Sequence, residues 1–480
     1  MLSGLILIPL ICGLLALFLP FKNVLHFLLI FVAVIHVCLT LVLWNFDPQP
    51  IFDGCIAIDA LGKPFLTITS LLFLMSALFG LNVLRGESHH YSAAHQGTYV
   101  GCLLIFLSTM TLVTLSQHFG LFWVAVEATT LSSAPLIYFH RNARSLEATW
   151  KYLVICSVGI ALALMGNFLL AVALSSAKSA EQSMILKDLI ANAPKMAIPW
   201  LKVAFIFFLI GYGSKMGLAP MHTWLPDAHS EAPSNVSCLL SGALLNCACL
   251  GILRAKEIVN AAGIADFGQD SLIFLGLLSM AFSAVFMIGQ TDYKRMLAYS
   301  SVEHMGIITF GIGLGGAGVF GSIYHAINHS LAKGLLFLTA GNILENFKTK
   351  AIANVSGIKK VLPTTGFLWI AGFLAITGMP PFGTFVSEFS ILKAALEHGK
   401  YFSAILFLFF LFVIFVGMAK PFLSMAYGTP SSHMVEKKMH EKILAIIPPI
   451  ILCSLVLIGG LYLPSSVMKA LKAAAALLGG

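Results

Sequence analysis

Charged side chains are scarce in this chain: they make up 10% of its 480 residues, whereas hydrophobic residues make up 59%. The mean hydropathy of +0.93 lies far above that of a soluble domain. The longest hydrophilic stretches, near 175–200, 344–363 and 428–442, are short enough to be inter-helix loops, which excludes a separate soluble domain. The formal net charge of +8 therefore indicates a membrane topology bias and not nucleic-acid binding.

Cofactor motifs are also missing. None of the nine cysteines forms a CxxC motif, and only Cys247 and Cys249 lie close together in sequence. An iron–sulfur cluster needs about four thiolates at suitable spacing. No nucleophile elbow, phosphate loop or nucleotide fingerprint stands in a strand-to-helix context either. The sequence therefore predicts no catalytic residue and no cofactor in this chain, so any electron carriers must belong to other subunits.

Apolar runs of membrane-spanning length occupy most of the chain and predict an all-α polytopic membrane protein. The first run lacks a basic n-region and a clear cleavage motif, so we expect a permanent helix and not a signal peptide. About fourteen spans are predicted, near 2–20, 25–44, 65–84, 99–117, 119–139, 151–174, 201–218, 235–256, 271–289, 300–316, 318–343, 364–398 (broken), 403–427 and 442–463.

The distribution of basic residues predicts that both termini lie outside, because short inside loops are enriched in Lys and Arg. The acidic loop after the second span then lies outside, whereas the basic loop at 178–202 runs against this assignment. The inside loops would carry Lys22, Arg85, Arg141, Arg144, Lys294, Arg295, Lys348, Lys350, Lys359, Lys360, Lys437, Lys438 and Lys442.

Two proline-interrupted spans each carry an ionisable residue. Lys215 stands in an apolar span five residues before Pro220, and Glu388 follows the break at Pro380 and Pro381. Proline cannot supply a backbone N–H, so each helix should break and leave polar groups that need water or protein partners. Paired interrupted helices indicate an inverted-repeat transporter, although two such breaks also arise separately.

Lys215 and Glu127 are predicted to form a protonation switch. Both lie among apolar residues, where burial disfavours the charged form and an opposite charge restores it. An acid and a lysine that pair or separate therefore exchange protons. The alternatives are a lysine that snorkels to the interface from a helix end and a carboxylate that makes only a structural hydrogen bond.

A third polar group comes from His325, His329 and Lys333, whose four-residue spacing stacks them on one helical face. The favoured interpretation is a proton relay that passes through His325, His329 and Lys333, in that order, to Glu388. Polar interhelical packing is an alternative, and HxxxH also suits a metal. No carboxylate lies near on that face in sequence, however, and Lys333 would repel a cation.

Further ionisable residues are interpreted with alternatives. Glu388 is either a terminal relay residue or a local ion-pair partner of Lys393, and His304 is either a relay residue or a polar residue near a helix start. Asp292 with its basic neighbours is expected to form a solvated turn. The segment that follows the first break contains four ionisable residues, which line either an inside vestibule or a hydrated loop: His222, Asp227, His229 and Glu231.

Several motifs resemble one family. The segments SKMGLAPMHTWLPDAHSEAPS, QTDYKRMLAYSSVEHMG, YHAINHSLAKGLLFLTAGNI and GMPPFGTFVSEF are similar to the antiporter-like membrane subunits of the complex I superfamily. That group includes proton-pumping subunits of NADH–quinone oxidoreductase, large Mrp antiporter subunits and membrane arms of group 4 [NiFe] hydrogenases. The segments WVAVEATTLSSAPLIYFHRNARSLEATWKYL and GALLNCACLGILR look most like hydrogenase-4 (formate hydrogenlyase-type) component F.

The resemblance covers nearly the whole chain and is strongest from about 120 to 395. It implies fourteen helices in two inverted five-helix repeats, with hydrated half-channels joined at mid-membrane. We expect N-terminal helices at 1–98, a first repeat at 99–256, a second at 271–427, and a C-terminal helix and tail at 428–480.

By motif, the resemblance assigns roles to particular residues. Glu127 and Lys215 match the family's acid–lysine pair, Lys333 the lysine after its paired histidines, and Glu388 the terminal charged residue of the broken twelfth helix. Asn246 departs from the pattern, because several pumping subunits have lysine or histidine there. An amide carries no charge, so Asn246 either orders a water bridge or interrupts the relay.

The function implied is a proton-translocating subunit of a membrane-bound hydrogenase or related respiratory complex in a bacterial or archaeal cytoplasmic membrane. Its expected partners are other membrane subunits and a peripheral arm that holds [NiFe] and Fe–S centres. Two alternatives remain: an Mrp-type cation/proton antiporter that works without redox partners, and a non-pumping scaffold of the same complex.

Overall fold

The computed structural model describes residues 1–86, 92–176, 183–430 and 441–479. Within these ranges the chain is helical, with only isolated β-bridges between loops. The predicted inside-loop residues Lys437 and Lys438 lie outside the described residues. The helices, numbered in chain order, are α1 (Leu2–Ala16), α2 (Lys22–Val42), α3 (Gly62–Gly86), α4 (Ala93–Leu115), α5 (Phe119–Ile137), α6 (Ala143–Ser175), α7 (Leu186–Asn192), α8 (Ile198–Met216), α9 (Trp224–Glu231), α10 (Ser234–Leu239), α11 (Leu245–Ala261), α12 (Ala265–Met287), α13 (Tyr293–Leu314), α14 (Ala317–Phe347), α15 (Ile358–Val361), α16 (Pro363–Ile376), α17 (Gly383–Glu397), α18 (Tyr401–Tyr427), α19 (Ile443–Leu461) and α20 (Ser465–Ala476).

Each of the fourteen predicted apolar segments coincides with a helix or with a pair of helices that flanks a break. In the described part of the chain, ten helices or helix pairs are long and apolar enough to cross a membrane, and α1 and α16 are shorter apolar helices. The stretch 300–343, in which two spans were predicted, does contain two helices: α13 and α14 are separated by Gly315 and Gly316.

Two helical features differ from the prediction. Helix α6 begins at Ala143, eight residues before the predicted span, because Asn142 and Ser145 form a reciprocal capping box. Helix α20 follows the last predicted span and packs against α14 and α3. The predicted tail is therefore partly a docked helix.

Helices α5 and α13 begin in the same way. His118 accepts hydrogen bonds from the first-turn amides of α5 and forms a β-bridge with Ile185, which directly precedes α7. Asp292 caps α13 and forms a β-bridge with Ala351, in the loop between α14 and α15. Four crossings lie between α5 and α13 when the broken pairs count once each: α6, α8–α9, α10–α11 and α12. Helix α13 therefore runs opposite to α5, so the structural echo is inverted.

Glycines bring the site helices together. A Cβ on Gly211 of α8 would lie 2.6 Å from the backbone nitrogen of Ala163 on α6. A Cβ on Gly306 of α13 would lie 2.8 Å from the carbonyl oxygen of Gly276 on α12. Small residues allow such close backbone approach, which favours helix association in membranes. The positions of the polar residues on α6, α8 and α13 are fixed by this packing.

Candidate functional site

Both predicted breaks are present. Helix α8 ends at Met216, and Gly217 adopts the left-handed conformation (φ +84°), three residues before Pro220. Helices α16 and α17 flank the break at Pro380 and Pro381, and both breaks contain a cis peptide bond before proline. Lys215 therefore lies inside α8, in its last turn, directly before the break. The negative end of the helix dipole favours an ammonium group there.

Lys215 is fully buried, so it does not snorkel to the interface. Its Nζ donates to Thr130 Oγ1 on α5 and to the Tyr152 hydroxyl on α6, both at 2.7 Å. The Tyr152 hydroxyl in turn lies 2.6 Å from Ser133 Oγ. Helices α5 and α6 thus surround this ammonium with hydroxyl oxygens, which accept hydrogen bonds without fixing a counter-charge.

Glu127 lies one hydroxyl group away from Lys215. Thr130 Oγ1 is 3.4 Å from Glu127 Oε2, and Ser157 Oγ donates to Glu127 Oε1 at 2.8 Å. Among the described residues Glu127 and Lys215 form no direct ion pair; Thr130 bridges them. The half-buried carboxylate of Glu127 and the buried ammonium of Lys215 are therefore close enough to couple electrostatically. We call these two residues with Thr130 and Tyr152 the Lys215 centre.

Asn246 connects the two halves of the molecule. It follows a π-helical turn at Leu240–Leu244, which leaves the carbonyl oxygen of Gly242 open to side chains. Asn246 Nδ2 donates to this oxygen at 3.0 Å and to Ser330 Oγ at 2.7 Å. Ser330 belongs to α14, the helix that carries the predicted histidines. The amide at this position is therefore hydrogen-bonded across the junction between α11 and α14.

Lys333 points toward α13. Its Nζ donates to the carbonyl oxygen of Leu297 at 2.7 Å and to Ser300 Oγ. Glu303, one helical turn beyond Ser300, is also buried. The second half of the molecule therefore places a buried lysine and a buried carboxylate on facing helices, whereas the first half pairs the buried Lys215 with the half-buried Glu127.

The histidines form a cluster that the sequence did not predict. His304 Nδ1 lies 2.7 Å from His325 Nε2, and His325 Nδ1 lies 2.8 Å from Ser387 Oγ on α17. The rings of His304 and His329 are 5.3 Å apart. The order along α14 is therefore Lys333, His329, then His325 beside α17. This order reverses the predicted sequence of His325, His329 and Lys333 toward Glu388.

Glu388 completes this cluster, which we call the histidine centre: His304, His325, His329, Ser387 and Glu388. Ligand atoms of His304, His325 and Glu388 lie within 4.8 Å of one another. In the described part of the chain Oε1 of Glu388 has no hydrogen-bond partner. Lys393 pairs with Glu397 at 3.6 Å, so the local ion pair considered for Glu388 is wrong.

His304, His325 and Glu388 also bear on the alternative that this site binds a metal ion. The sequence showed no carboxylate near the histidine face, but tertiary structure brings Glu388 to it from another helix. The direct hydrogen bond between His304 and His325 engages one nitrogen of each ring, and zinc would need each coordinating nitrogen about 2.0–2.1 Å from the metal. The geometry suits a chain of hydrogen bonds better than a metal site.

A polar vestibule opens beside the first break. It has a volume of about 290 Å³. Asp227 forms ion pairs there with Lys151 at 2.9 Å and with Arg295 at 3.1 Å. Ala148 lines the vestibule one helical turn before Tyr152 on α6. The lining residues are Arg144, Glu147, Ala148, Lys151, Asp227, Ser230, Glu231 and Arg295.

Of the four residues assigned to a vestibule or a hydrated loop, Asp227 and Glu231 line the vestibule, whereas His222 and His229 are buried. The His229 ring stacks on Phe337 of α14, with centroids 4.8 Å apart. Lys294 was expected in a solvated turn, but it is buried and donates to the carbonyl oxygen of Ala232 at 2.6 Å. Packing of α13 against α9 covers it.

Sequence reasoning missed two kinds of residue. Glu303 is an ionisable residue inside an apolar span, so the rule that selected Glu127 should have selected it. Thr130, Tyr152, Ser300 and Ser387 are hydroxyl residues that contact the candidate ionisable groups. Single hydroxyls are common in membrane helices, where they bond to backbone carbonyls, so the sequence carries no signal that distinguishes these four.

The sequence and the fold are similar to those of known membrane proteins. Residues 116–414 match the family described as NADH:quinone oxidoreductase/Mrp antiporter, transmembrane. The chain belongs to this family. The chain is similar to a hydrogenase-4 component F homolog from Methylacidiphilum infernorum, to which it is 38% identical over 353 residues, or 73% of this chain and 74% of that protein. Hydrogenase-4 component B of Escherichia coli is 29% identical over 74% of this chain but only 53% of its own length.

Solved structures show that the whole fold is shared. A chain of the membrane-bound sulfane sulfur reductase, an archaeal respiratory membrane complex, superposes with a TM-score of 0.88 at 22% identity, covering 100% of this chain and 97% of that one. A chain of the Mrp complex from Dietzia sp. gives a TM-score of 0.84 at 19% identity, covering 99% and 97%. The antiporter-like fold thus extends over the N-terminal helices and α20 as well as the family region.

Proposed function

We propose that this antiporter-like subunit translocates protons in a membrane-bound hydrogenase or related respiratory complex. The observation that carries the proposal is a mid-membrane series of ionisable residues on broken and facing helices, all buried except the half-buried Glu127: Glu127, Lys215, Lys333, His329, His304, His325 and Glu388. Ionisable groups are costly at this depth, and they mark ion pathways. Hydroxyl and amide side chains lie between them, as a proton relay requires.

Proton uptake begins in the vestibule. Asp227 and Glu231 supply carboxylates there, and Ala148 and Tyr152 lie on successive turns of α6. A proton that reaches Tyr152 meets Lys215 at hydrogen-bond distance. Because a buried ammonium is destabilised by desolvation, Lys215 releases a proton that a lysine in water would keep. Glu127 provides the control, since its charge stabilises the protonated form.

Transfer to the second half runs through Asn246. The amide cannot titrate, but it fixes Ser330 and leaves its own oxygen to orient water. In the described residues Asn246 Oδ1 has no protein partner, and a bridging water in a polar site needs such acceptors. Lys333, one turn from Ser330 on α14, receives the proton on this route.

The final segment is the histidine centre. Imidazole accepts a proton on one nitrogen and releases one from the other. His304 and His325 are already joined by a hydrogen bond, and Ser387 orients His325. Glu388 lies beside them at the second break and serves as the terminal acceptor. The route therefore leads from the broken pair α8–α9, which carries Lys215, to the broken pair α16–α17, which carries Glu388.

Redox chemistry is assigned to partner subunits. We propose that a peripheral arm with [NiFe] and Fe–S centres changes the electric field at Glu127 and Lys215, and that neighbouring membrane subunits contact this chain in a bacterial or archaeal cytoplasmic membrane. The similarity to hydrogenase-4 component F supports this partner class. Both termini are proposed to lie outside, so that the vestibule opens inside.

The decisive experiment measures redox-driven proton uptake by vesicles that contain the complex with Lys215→Ala. Loss of uptake with retained assembly supports the proposal. Lys393→Ala is a matched control, because Lys393 lies in a broken-helix pair but is exposed and paired with Glu397. Unchanged uptake in Lys215→Ala contradicts the proposed role.

Mass spectrometry of the native complex identifies the redox partner. A nickel–iron large subunit and ferredoxin-like subunits support the hydrogenase assignment. If only small hydrophobic subunits copurify, and vesicles without electron donors exchange sodium for protons, the chain works as an Mrp-type antiporter. If both Glu127→Gln and Lys215→Ala are silent while deletion of the chain disrupts assembly, the chain is a scaffold.

A further inference from the structure

A buried arginine lies at the end of the first half, opposite the vestibule. Arg254 of α11 has 2% of its surface exposed. Its guanidinium contacts the carbonyl oxygens that end α4: Nη2 donates to Thr114 at 3.1 Å, and Nη1 contacts Ser116. Nη2 also forms an ion pair with Asp59 Oδ2 at 3.4 Å. The positive charge is therefore held from two sides.

The surroundings explain why the charge is stable in this position. The last carbonyls of a helix have no partner within it, and they form the negative end of the helix dipole. Asp59 is itself anchored, because its Oδ1 accepts a hydrogen bond from the backbone amide of Gly62 at 2.6 Å. Arg254 is thus a fixed cation, and arginine does not lose its proton in proteins.

Arg254 also lies at the end of the interface between α5 and α8, the helices that carry Glu127 and Lys215. We call this interface the seam. Its guanidinium lies over the ring of Phe122 on α5, 5.4 Å from the centroid. A Cβ on Gly251, one turn earlier on α11, would lie 2.7 Å from Phe122 and 2.8 Å from Tyr212 of α8. Phe122 and Tyr212 precede Glu127 and Lys215 on their helices by about 7.5 and 4.5 Å of helical rise. The same seam therefore holds Lys215 near its middle and Arg254 at its far end.

We propose that Arg254 is an electrostatic seal that keeps protons on Lys215 from leaking along this seam to the far side of the membrane. The inference rests on the proposed function. A fixed cation in a narrow, weakly polarisable passage repels a migrating proton, as arginines do in selective pores. With that end closed, the remaining polar route from Lys215 leads sideways through Asn246 to the second half.

A second cation on the same helix provides a matched control. Lys256 of α11 is buried, and its Nζ donates to the carbonyl oxygen of Ile312 near the end of α13 at 2.8 Å. Lys256 therefore also holds a helix terminus, but it faces α13 and not the seam between α5 and α8. A purely structural role predicts the same behaviour for both residues, whereas a seal predicts a difference.

The test is the passive proton permeability of proteoliposomes that contain the whole complex without redox substrates. After a pH step, an internal dye reports the leak. We expect Arg254→Gln to raise the leak rate by about tenfold or more, because the repulsive charge is gone. Arg254→Lys, which keeps the charge, and Lys256→Met are expected to remain as tight as the wild-type protein.

Two further variants keep the test decisive. If Arg254→Gln does not assemble, the double variant Asp59→Asn/Arg254→Met removes both charges and avoids a buried unpaired carboxylate; it is expected to leak equally. Adding Lys215→Ala to whichever Arg254 variant leaks should return the proton leak rate to the wild-type value, because the leaking protons come from Lys215. The proposal is wrong if the assembled Arg254→Gln or Asp59→Asn/Arg254→Met variant leaks protons no faster than the wild-type protein. It is also wrong if Lys256→Met leaks protons as fast as these variants. Failure of the proposed function appears separately, as missing redox-driven uptake in the wild-type complex.

Discussion

Nδ1 of His304 on α13 lies 2.7 Å from Nε2 of His325 on α14. This contact joins two helices that run side by side in the second half, and it places both imidazoles beside Glu388. Paired imidazoles pass a proton only if one donates while the other accepts, so the pair has two alternative arrangements of its protons. His304 is therefore a central member of the histidine centre.

Replacement of His304 tests whether this pair moves protons. We expect His304→Gln to lower redox-driven proton uptake by about tenfold or more, because an amide bonds to His325 but does not titrate. His36→Gln is the control: His36 is also buried, and both its nitrogens are bonded, to Ser70 at 2.8 Å and Thr111 at 3.0 Å. Reduced stability with normal uptake is expected for His36→Gln, and equal losses of uptake would contradict the relay assignment.

The Tyr152 hydroxyl is predicted to be needed for proton delivery to Lys215. Tyr152→Phe removes one of the two hydroxyls that accept from the ammonium, and hydrogen bonds to charged groups contribute about 1.5–3 kcal/mol. We expect uptake to fall about tenfold in the assembled complex. Tyr212→Phe is the matched control, since the buried Tyr212 hydroxyl has no hydrogen-bond partner in the described residues. Equal uptake in the two variants would remove Tyr152 from the pathway.

Asn246 is predicted to carry the transfer between halves without titrating. Asn246→Leu removes the donor to Ser330 and the group that orients water, so we expect proton uptake to fall sharply while the complex assembles. Asn246→His keeps hydrogen-bonding nitrogens and is expected to retain most of the uptake. Proton uptake in membrane vesicles measures both. Wild-type uptake in Asn246→Leu would mean that protons bypass this position.

Gly378 is predicted to position Glu388. A Cβ at Gly378 would lie 2.0 Å from Glu388 Oε2, and its φ of +63° adds a backbone cost, about 1–2 kcal/mol for a side chain in the left-handed region. We expect Gly378→Ala to displace the carboxylate and reduce proton uptake. Gly399→Ala has a similar φ of +67° but meets no atom within 4 Å among the described residues. Thermal stability should fall in both variants, and uptake only in Gly378→Ala; an equal effect on uptake would contradict the positioning role.

The sequence by itself determined the fold class, the fourteen apolar segments and the two proline breaks. It also selected Glu127, Lys215, His325, His329, Lys333 and Glu388. These features are local: an apolar run long enough to cross a bilayer must form its hydrogen bonds within the segment, and a charged residue within such a run stands out because its burial is costly.

Tertiary structure decided which of these residues meet. The approach of His304 to His325, the position of Glu388 beside both, and the bridge from Glu127 through Thr130 to Lys215 depend on contacts between helices far apart in sequence. Helical periodicity tells which face a side chain occupies but not which helix covers that face. The order along α14 was reversed for this reason, and the hydroxyl residues and the α4 contacts of Arg254 became recognisable only after the helices were packed.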